Sequence, residues 1–400
     1  MTKVVFYTLG CKANQYQTEV LKSQLINDRF QLGLHGEEAD LYVINTCTVT
    51  ETADRKSRQA IRRALRLGKK VIVTGCYAKL EKSLLSKLFP QIEILEPSSI
   101  SRRPSTMIPH PSFIVPRIRA NLMIQDGCEH FCSYCILPYV RGKVKSKPIE
   151  DVIAEAEELV DAGAREIILT GINLGTYQYQ LSSVVHRLSL IENLYRIRLS
   201  SLEPMYLSKD LIDTIAKNPK VCHHLHLPLQ SGDNEILKAM NRNYSREDYL
   251  ELVNYIKRQI PDCAITTDII VGFPGEGEKE FQNTIDLIHK VKFARLHVFP
   301  FSKRKGTAAY NFPAQVDQNT KKKRIEILRQ LRAKYLKEFA SQYLNQEVEI
   351  LVEKKGEGLT SNYLRVVYSG SKSEVGTLKK VKFSKVFIDN DDEKSSVIFH

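Results

Sequence analysis

Short apolar runs alternate with amphipathic segments through the first 96 residues of the chain. The runs favour buried strands, whereas the segments between them repeat apolar residues at helical spacing. The predicted strands are residues 4–8, 41–45 and 71–74, and the predicted helices are residues 14–27, 51–67 and 79–88. This alternation predicts a parallel sheet whose strands are connected by crossover helices.

A stretch of Pro, Ser and Arg at residues 97–116 interrupts the pattern and predicts a linker, which we place at residues 97–120. A second alternating series follows this linker. Its predicted strands are residues 122–125, 166–170, 196–201, 223–227, 264–271 and 295–299, and its clearest helices are residues 148–162, 246–259 and 278–290. Six strand–helix units in about 180 residues favour a partial (β/α)6 barrel over a closed barrel of eight units.

The C-terminal part of the chain changes to short alternating strands. After a loop, a basic helix is predicted at residues 321–344, followed by strands at residues 347–353, 364–368 and 378–383 and an acidic, solvated tail at residues 389–393. The strands predict a small all-β domain. We therefore expect an α/β chain. Its predicted parts are an N-terminal parallel-sheet domain at 1–96, the linker, a barrel at 121–340 and the all-β domain at 341–400.

The charge balance of the 400 residues favours a polyanionic partner, nucleic acid before membrane. Lys and Arg number 59 against 46 Asp and Glu, which gives a net charge of +13 and a pI near 9.2. A composition of 42% hydrophobic and 26% charged residues excludes a mainly disordered chain. No apolar run approaches the roughly 18 residues that cross a bilayer, and residues 4–9 are too short for a signal-peptide core. We expect a cytoplasmic protein without a membrane partner, whose clustered cysteines bind metal or serve catalysis.

Cys128, Cys132 and Cys135 form a C-x3-C-x2-C motif directly after the first predicted barrel strand. Three thiolates on one loop can bind three irons of a [4Fe–4S] cluster and leave the fourth iron open to a small ligand. A zinc site that includes His130 is the alternative, although His130 lies too near Cys128 and Cys132 in sequence to chelate comfortably beside both. Three unrelated buried cysteines at this spacing would be a coincidence. The spacing therefore favours iron–sulfur over zinc.

Cys11, Cys47 and Cys76 lie far apart in sequence, but each comes just after a predicted strand of the first sheet. The carboxyl ends of parallel strands meet at one crevice, so the three thiols are predicted to converge there. They would then bind a second cluster with an open iron. The alternative, that each is a small buried apolar residue, is equally compatible with the sequence.

The cysteine loop resembles that of the radical S-adenosylmethionine superfamily, with the aromatic Tyr134 just before the last cysteine. The whole chain resembles the methylthiotransferases of that superfamily, including a C-terminal TRAM domain that binds RNA. The motifs that carry the resemblance are TLGCKANQYQTE, INTCTVT, VTGCYA, CSYCILPYVRG, LTGINLG, LSSLEP, HLPLQSGD, IIVGFPGE and SKRKGT. Lys12, Gln15 and Thr18 are similar to the branch that acts on threonylcarbamoyladenosine in tRNA. Branches that act on isopentenyladenosine in tRNA or on a ribosomal protein side chain are the alternatives.

The resemblance implies two [4Fe–4S] clusters, S-adenosylmethionine and radical chemistry. The barrel cluster would bind and cleave S-adenosylmethionine, and the resulting radical would remove hydrogen from C2 of the adenosine beside the anticodon, at position 37. The cluster on Cys11, Cys47 and Cys76 would carry the sulfur that is methylated and transferred. No protein acid or base is required for this step. The implied partners are the tRNA anticodon stem-loop, an electron donor such as a flavodoxin or ferredoxin, and a sulfur source.

Further candidate residues follow from this resemblance and from strand-end placement. The predicted cofactor contacts are Tyr134, Gly171, Asn173, Ser201, Glu203, Gln230, Ser231, Arg242 and Gly272. Arg304 is the candidate for a contact with the substrate. The predicted RNA contacts are Arg55, Lys56, Arg58, Arg62, Arg63, Arg66, Lys69, Lys70, Lys321, Lys322, Lys323, Arg324, Arg329, Arg332, Lys334, Lys337, Tyr363, Arg365 and Tyr368. Many of these charges are equally compatible with a solvated helix face, and a zinc-bearing RNA-binding protein without catalysis is the alternative of a different class.

Overall fold

The computed structural model describes residues 2–25, 30–96, 117–388 and 397–398 of the chain. Residues 97–116 of the linker predicted at 97–120 and the predicted acidic tail at 389–393 lie outside the described residues, whereas a strand already begins at Arg119, inside the predicted linker. Within the described ranges, no helix is long and apolar enough to cross a membrane.

The N-terminal part is a five-stranded parallel sheet with helices packed on it. Its elements are β1 (Thr2–Thr8), α1 (Lys12–Leu25), β2 (Phe30–Leu32), β3 (Ala39–Thr46), α2 (Glu51–Leu67), β4 (Gly68–Gly75), α3 (Cys76–Leu80), α4 (Lys82–Leu88) and β5 (Glu93–Ile94). The strand order is β2-β1-β3-β4-β5. Thr50 caps α2, because its side chain accepts from the Ala53 N–H and satisfies one of the free donors of the first turn. The single helix predicted at 79–88 is instead two short helices, which meet at the non-helical Glu81.

The central part contains six parallel strands that form an open barrel. Its elements are β6 (Arg119–Met123), β7 (Gln125–Asp126), α5 (Leu137–Arg141), β8 (Lys145–Ser146), α6 (Ile149–Asp161), β9 (Glu166–Thr170), α7 (Leu181–Ser189), β10 (Arg196–Leu199), α8 (Lys209–Lys217), β11 (His224–His226), α9 (Asn234–Ala239), α10 (Arg246–Gln259), β12 (Ala264–Val271), α11 (Glu278–Val291) and β13 (Arg295–Pro300). The ladders β6-β9-β10 and β11-β12-β13 are joined by a parallel bridge between Ile197 and Val221. In the described chain no ladder joins β6 to β13, so the barrel is partial, as predicted.

The C-terminal part is a four-stranded antiparallel sheet connected to the barrel by a long helix. Its elements are α12 (Gln318–Ser341), β14 (Glu347–Lys354), β15 (Glu357–Thr360), β16 (Arg365–Val367), β17 (Leu378–Lys382), β18 (Phe387–Ile388) and β19 (Val397–Ile398). The sheet order is β16-β15-β14-β17. Leu328 of α12 is buried in the barrel core, whereas Leu336 and Ala340 are buried in the core of the C-terminal sheet. The helix therefore fixes the sheet against the barrel, where Arg119 and Arg196, at the starts of β6 and β10, donate to Glu353 and to the carbonyl of Leu359.

Candidate active site

Three cysteines lie side by side at the carboxyl edge of the N-terminal sheet. Cys11 follows β1, Cys47 directly follows β3 and Cys76 directly follows β4, and these strands are neighbours in the sheet. Gly10 adopts a φ of +100°, and a Cβ atom there would lie 2.9 Å from the Cβ of Cys47. This close approach requires glycine and brings Cys11 beside Cys47. The structure thus brings the three thiols together, while their role as metal ligands stays a prediction.

Burial and repulsion disfavour the ionised form of Cys47 and Cys76. The pKa of Cys47 is raised to about 11, mainly by burial and in smaller part by negative charge on Cys11 and Cys76. Burial also raises the pKa of Cys76, although the cation of Arg141 opposes the increase. A metal centre would compensate the charge of three thiolates, so the site is chemically suited to a bound cluster.

Arg141, at the end of α5, connects this N-terminal cysteine site to the barrel. Its Nε donates to the Sγ of Cys76 at 3.2 Å, and its Nη2 donates to the Oδ1 of Asn14 at 2.6 Å. Its Nη1 lies 3.5 Å from the carboxylate of Asp126, at the start of the barrel cysteine loop. A buried guanidinium in this position favours a thiolate at Cys76. Our sequence analysis missed Arg141, because only the packing of α5 against α3 brings it to the thiols.

Cys128, Cys132 and Cys135 lie together on the loop between β7 and α5. The N–H of Cys132 donates to the carbonyl of His130 at 2.7 Å, and the N–H of Cys135 donates to the carbonyl of Cys132 at 3.0 Å. Burial raises the pKa of Cys135 to about 12, and the charge of Cys132 adds to this effect. Tyr134 packs against apolar side chains below the loop. The tight turns hold three thiols in one place, as a cluster with three protein ligands requires.

Arg242 lies beside this loop and contacts one of its thiols. Its Nη1 is 3.5 Å from the Sγ of Cys132, and its Nη2 forms an ion pair with Glu203 and donates to the carbonyl of Pro228 at 3.1 Å. Tyr244 accepts from its Nε at 3.1 Å. The guanidinium is thus held by protein groups, and the predicted contact of Arg242 with the carboxylate of S-adenosylmethionine stays a prediction.

Several predicted cofactor contacts lie at the carboxyl ends of adjacent barrel strands. Gly171 follows β9 and Ser201 follows β10, and a Cβ atom at Gly171 would lie only 2.6 Å from the Oε1 of Gln125. Both polar side-chain atoms of Asn173 and the hydroxyl of Ser200 are buried; the Asn173 side chain interacts with the thiol of Cys128, and the Ser200 hydroxyl has no hydrogen-bond partner among the described residues. Buried polar atoms of this kind are costly unless a ligand satisfies them. They therefore fit a polar small molecule such as S-adenosylmethionine.

Gln230, Ser231 and Gly272 have structural roles at the strand ends where they lie. Gln230 adopts a φ of +68°, and its N–H donates to the carbonyl of Asp268 at 2.8 Å. Ser231 is fully buried, with its hydroxyl beside a threonine of α11. Gly272 adopts a φ of +69°, and a Cβ atom there would lie 2.4 Å from the Cγ of Lys321. Their predicted positions beside the ribose and adenine of the cofactor stay predictions.

A cavity of about 660 Å³ lies inside the barrel, beneath the N-terminal sheet. It extends from Cys11, Gly171 and Ser201 at one end to His224 and Tyr363 at the other. This volume is within the range of small-molecule pockets. The cavity therefore extends from Cys11 of the N-terminal cysteine site along the ends of the barrel strands.

Three side chains from neighbouring strands form a cluster in the wall of this cavity. The Nε2 of His226 lies 3.3 Å from the Oδ1 of Asp268, and the Nδ1 of His297 lies 3.1 Å from the same oxygen. Although burial opposes ionisation, the two histidines hold the pKa of Asp268 well below its usual range. Neither histidine is indicated by the local sequence, because only the register of β11, β12 and β13 aligns them with Asp268.

Tyr363, in the turn between β15 and β16, lies against residues that begin the barrel strands β6, β11 and β13. Its ring stacks on His224 at 4.5 Å between centroids. The guanidinium carbons of Arg198, Arg119 and Arg295 lie 4.8, 5.5 and 5.7 Å from its ring centre. Tyr363 was predicted to stack on RNA bases, but the structure places it against the barrel interior.

Arg304 joins the loop after β13 to the N-terminal sheet. Its Nη1 donates to Asp54 at 2.7 Å, and its Nη2 donates to the hydroxyl of Thr48 at 2.7 Å. Both hydrogen bonds are buried. Its predicted contact with the substrate stays a prediction, and in the described structure Arg304 connects two parts of the chain.

The two basic helices differ in how they present their charges. Five cationic residues of α2 are exposed: Arg55, Lys56, Arg62, Arg63 and Arg66. In α12, Lys321 and Arg324 are buried, and the Nη1 of Arg324 donates to Glu276 at 2.6 Å. These two residues hold α12 to the barrel, whereas most of the other cations of that helix face solvent. The face of α2 thus retains the charge that RNA phosphates require.

Two protein-family models match parts of the chain and indicate its class of protein. Residues 122–288 match the model of the radical SAM superfamily, and residues 3–96 match the model described as uncharacterized protein family UPF0004. The solved structure of the radical S-adenosylmethionine methyltransferase TsrM from Kitasatospora setae is similar in fold. It has a TM-score of 0.56 and 14% identity over 78% of this chain and 77% of that chain. The chain is therefore a radical SAM enzyme.

Named relatives that match almost the full length of the chain identify its family within the radical SAM class. The chain is 39% identical to threonylcarbamoyladenosine tRNA methylthiotransferase MtaB of Bacillus subtilis (strain 168), over 96% of this chain and 94% of that protein. It is 36% identical to tRNA-2-methylthio-N(6)-dimethylallyladenosine synthase of Natranaerobius thermophilus, over 95% and 94%. The chain belongs to the radical SAM methylthiotransferase family, whose cofactors are [4Fe–4S] clusters and S-adenosylmethionine.

Proposed function

We propose that this chain is a tRNA methylthiotransferase that adds a methylthio group to C2 of N6-threonylcarbamoyladenosine beside the anticodon. The observation that carries this proposal is the presence of two separate groups of three cysteines, one at the carboxyl edge of the N-terminal sheet and one on the loop beside the barrel strand ends. Cys11 of the N-terminal site lines the cavity, and the barrel loop lies beside the strand ends that form its rim. The name of the Bacillus subtilis relative supplies the substrate.

The two cysteine sites have separate roles in this proposal. When bound at Cys128, Cys132 and Cys135, a [4Fe–4S] cluster supplies the electron that cleaves S-adenosylmethionine and starts radical chemistry. Cys11 and the two thiols beside it hold the second cluster, at which the sulfur is supplied.

The surrounding residues position these groups. Gly171 leaves space at the end of β9, and the buried amide of Asn173 offers polar atoms to a bound cofactor. Arg242 and Glu203 form an ion pair next to Cys132, which fixes the polar environment on that side of the loop. Arg141 contacts both Cys76 and Asp126, and so fixes the position of the N-terminal cysteine site relative to the barrel loop.

Each part of the chain has its own role toward the clusters and the partners. We assign residues 1–96 to the second cluster, residues 121–340 to the radical SAM barrel and residues 341–400 to a TRAM domain that binds RNA. The exposed cations of α2 contact the phosphates of the anticodon stem-loop. A flavodoxin or ferredoxin supplies electrons, a separate donor supplies sulfur, and the enzyme acts in the cytoplasm.

The first experiment is to measure iron, acid-labile sulfide and zinc after anaerobic purification and reconstitution of the full chain. Two clusters give about eight irons and eight sulfides per chain with brown absorbance. About four irons per chain would mean that only one cluster binds and that Cys11, Cys47 and Cys76 are not cluster ligands. Stoichiometric zinc in a colourless protein would refute the proposed function and favour the alternative of an RNA-binding protein without catalysis.

The second experiment assigns the two sites separately with single substitutions. Cys132→Ala should abolish cleavage of S-adenosylmethionine, whereas Cys47→Ala should preserve cleavage and abolish methylthiolation of tRNA. Cys263→Ala, at a buried cysteine far from both sites in sequence, is the matched control and should retain both activities. Deletion of the gene should remove one methylthiolated nucleoside from bulk tRNA. An unchanged nucleoside profile would refute the proposed function.

A further inference from the structure

Two imidazoles and one carboxylate from three neighbouring strands meet in the wall of the barrel cavity. His297 lies directly opposite Asp268 in the register of β12 and β13, and His226 of β11 lies opposite Thr266. Thr266 and Asp268 are two residues apart in β12, so their side chains lie on the same face of the strand, together with those of the two histidines. All four residues line the cavity. The register of the strands therefore builds this cluster.

The spacing of the polar atoms fits the coordination of a single metal ion. The Oδ1 of Asp268 lies 3.3 Å from the Nε2 of His226 and 3.1 Å from the Nδ1 of His297. The ligand atoms of the three residues all lie within 4.8 Å of one another. Bonds of about 2.0 to 2.2 Å at tetrahedral angles separate ligand atoms by about 3.3 to 3.6 Å. The two measured separations are close to this range, so one ion can bridge the three groups.

Asp268 supplies the negative charge that such an ion requires. Although burial opposes ionisation, the two histidines hold the pKa of this carboxyl well below its usual range. Among the described residues, no Lys or Arg side chain lies within ion-pair distance of Asp268, and the histidines are its partners. Metal binding would exchange the protons between imidazole and carboxylate for a cation of higher charge.

Thr266 supports His226 from the side opposite Asp268. The Nδ1 of His226 lies 2.9 Å from the Oγ1 of Thr266, and the same hydroxyl lies 3.2 Å from the Nε2 of His224. When the Nδ1–H of His226 donates to Thr266, and the hydroxyl of Thr266 donates to His224, the lone pair on the Nε2 of His226 is left for an ion. A hydrogen bond at the second ring nitrogen is the usual support of a histidine ligand, because it fixes the tautomer and the ring orientation.

The donor set indicates the class of metal. Imidazole nitrogen suits zinc, iron and related transition metals, whereas Mg²⁺ and Ca²⁺ prefer oxygen ligands. The group contains no thiol, which distinguishes it from the two groups of three cysteines. Three protein ligands leave at least one coordination position for water or for a polar atom of a molecule in the cavity.

We propose that His226, Asp268 and His297 bind one divalent transition-metal ion in the wall of the barrel cavity. This site goes beyond the proposed function, which places metal only at the cysteines. Its ligands come from three adjacent strands, and side chains on strands hold a ligand geometry more precisely than side chains on loops.

The test uses Zn²⁺ as the probe and the full-length enzyme after anaerobic reconstitution of its clusters. The protein is treated with EDTA, titrated with Zn²⁺ in competition with a fluorescent zinc indicator, and then studied by X-ray absorption at the zinc edge. We expect about one zinc per chain, with nitrogen and oxygen ligands at about 2.0 to 2.2 Å and without sulfur at about 2.3 Å.

Variants assign the zinc to the three residues. Asp268→Asn keeps the size of the side chain and should weaken zinc binding more than about 100-fold, whereas Thr266→Val, which removes only the supporting hydroxyl, should weaken it about 10-fold. Asp262→Asn is the matched control and should leave the zinc affinity unchanged, because Asp262 lies 2.7 Å from the Nδ1 of His223 in a His–Asp pair that lacks a second histidine. The iron content and the unfolding midpoint of each variant check its folding. X-ray absorption of the wild-type enzyme remains decisive even if a variant folds poorly.

Three results would overturn the inference. The first is a wild-type enzyme that retains no zinc, which would leave the cluster as a hydrogen-bonded network. The second is sulfur at about 2.3 Å from the zinc, which would assign the ion to the cysteines. The third is equal zinc affinity of the wild type and Asp268→Asn. None of these results depends on methylthiolation of tRNA, so a failure of the proposed function would be distinguishable from a failure of this inference.

Discussion

Glu166 is a buried carboxylate that forms ion pairs with both Arg119 and Arg198. It is completely buried in β9, and its Oε1 accepts from the Nε of Arg198 at 2.7 Å and from the Nε of Arg119 at 2.8 Å. Arg198 and Arg119 in turn pack against Tyr363 of the C-terminal sheet. The substitution Glu166→Gln keeps the size of the side chain and removes its charge. We predict a large loss of stability, because two buried guanidinium groups lose their shared counter-ion.

Two independent estimates give a similar magnitude. Removal of one partner from a buried ion pair costs about 3–5 kcal/mol. Although burial alone favours the protonated acid, Arg198 and Arg119 lower the pKa of Glu166 from 4.5 to about 2. A decrease of that size corresponds to roughly 3 kcal/mol of folding free energy at neutral pH. Because the folded pKa is the lower one, this contribution is present above pH 4.5 and is lost as the pH falls towards 2.

The assay is urea unfolding of the metal-free full chain, followed by circular dichroism at several pH values. Glu150→Gln is the matched control, since Glu150 pairs with Arg187 at the surface and should leave the unfolding midpoint unchanged. The difference between wild type and Glu166→Gln should shrink below pH 4.5. A variant as stable as the wild type at pH 7 would refute the reasoning that this network is a net stabilising element.

Three further predictions concern the cysteine sites. Gly10→Ala should lower the iron content of the reconstituted protein from about eight towards four per chain, because it forces a side chain into a left-handed backbone position against Cys47. Arg141→Met should lower iron at the same site, measured by iron analysis, whereas cleavage of S-adenosylmethionine should persist; simultaneous loss of cleavage would contradict this. In metal-free protein at pH 8, iodoacetamide should label exposed Cys11 before Cys47 and Cys135, because pKa values of about 11 and 12 leave about one thiolate in a thousand or fewer. Equal labelling rates by mass spectrometry would contradict both the burial of Cys47 and the raised pKa values of Cys47 and Cys135.

The sequence predicted the elements whose signals are local. The bounds of α2, β9, α10 and β12 agree with the predicted ranges, because each has a clear apolar period and a polar or Gly boundary. The order of strands and helices sufficed to predict a parallel sheet and an open barrel. Short elements without a period of their own, such as β2 and β15, were missed.

The positions of site residues could be predicted from the sequence where those residues directly follow a strand. Cys11, Cys47 and Cys76 each follow a strand, so their convergence required only the knowledge that the sheet is parallel. Arg141 and Asp268 show the limit of this reasoning. Their partners come from other parts of the chain, and nothing in the local sequence indicates which side chain they will meet.

Tyr363 shows why some functional surfaces cannot be assigned from residue type alone. A tyrosine beside Arg365 in a small basic β-domain has the composition of an RNA-binding surface, and that interpretation was reasonable from sequence. The fold places the same side chain among three guanidinium groups and His224, at the amino ends of the barrel strands. The C-terminal sheet thus contributes Leu359, Tyr363 and Arg365 to the wall of the barrel cavity, in addition to any contact that it makes with RNA. Because this wall is built from two parts of the chain, only their packing determines which groups Tyr363 meets.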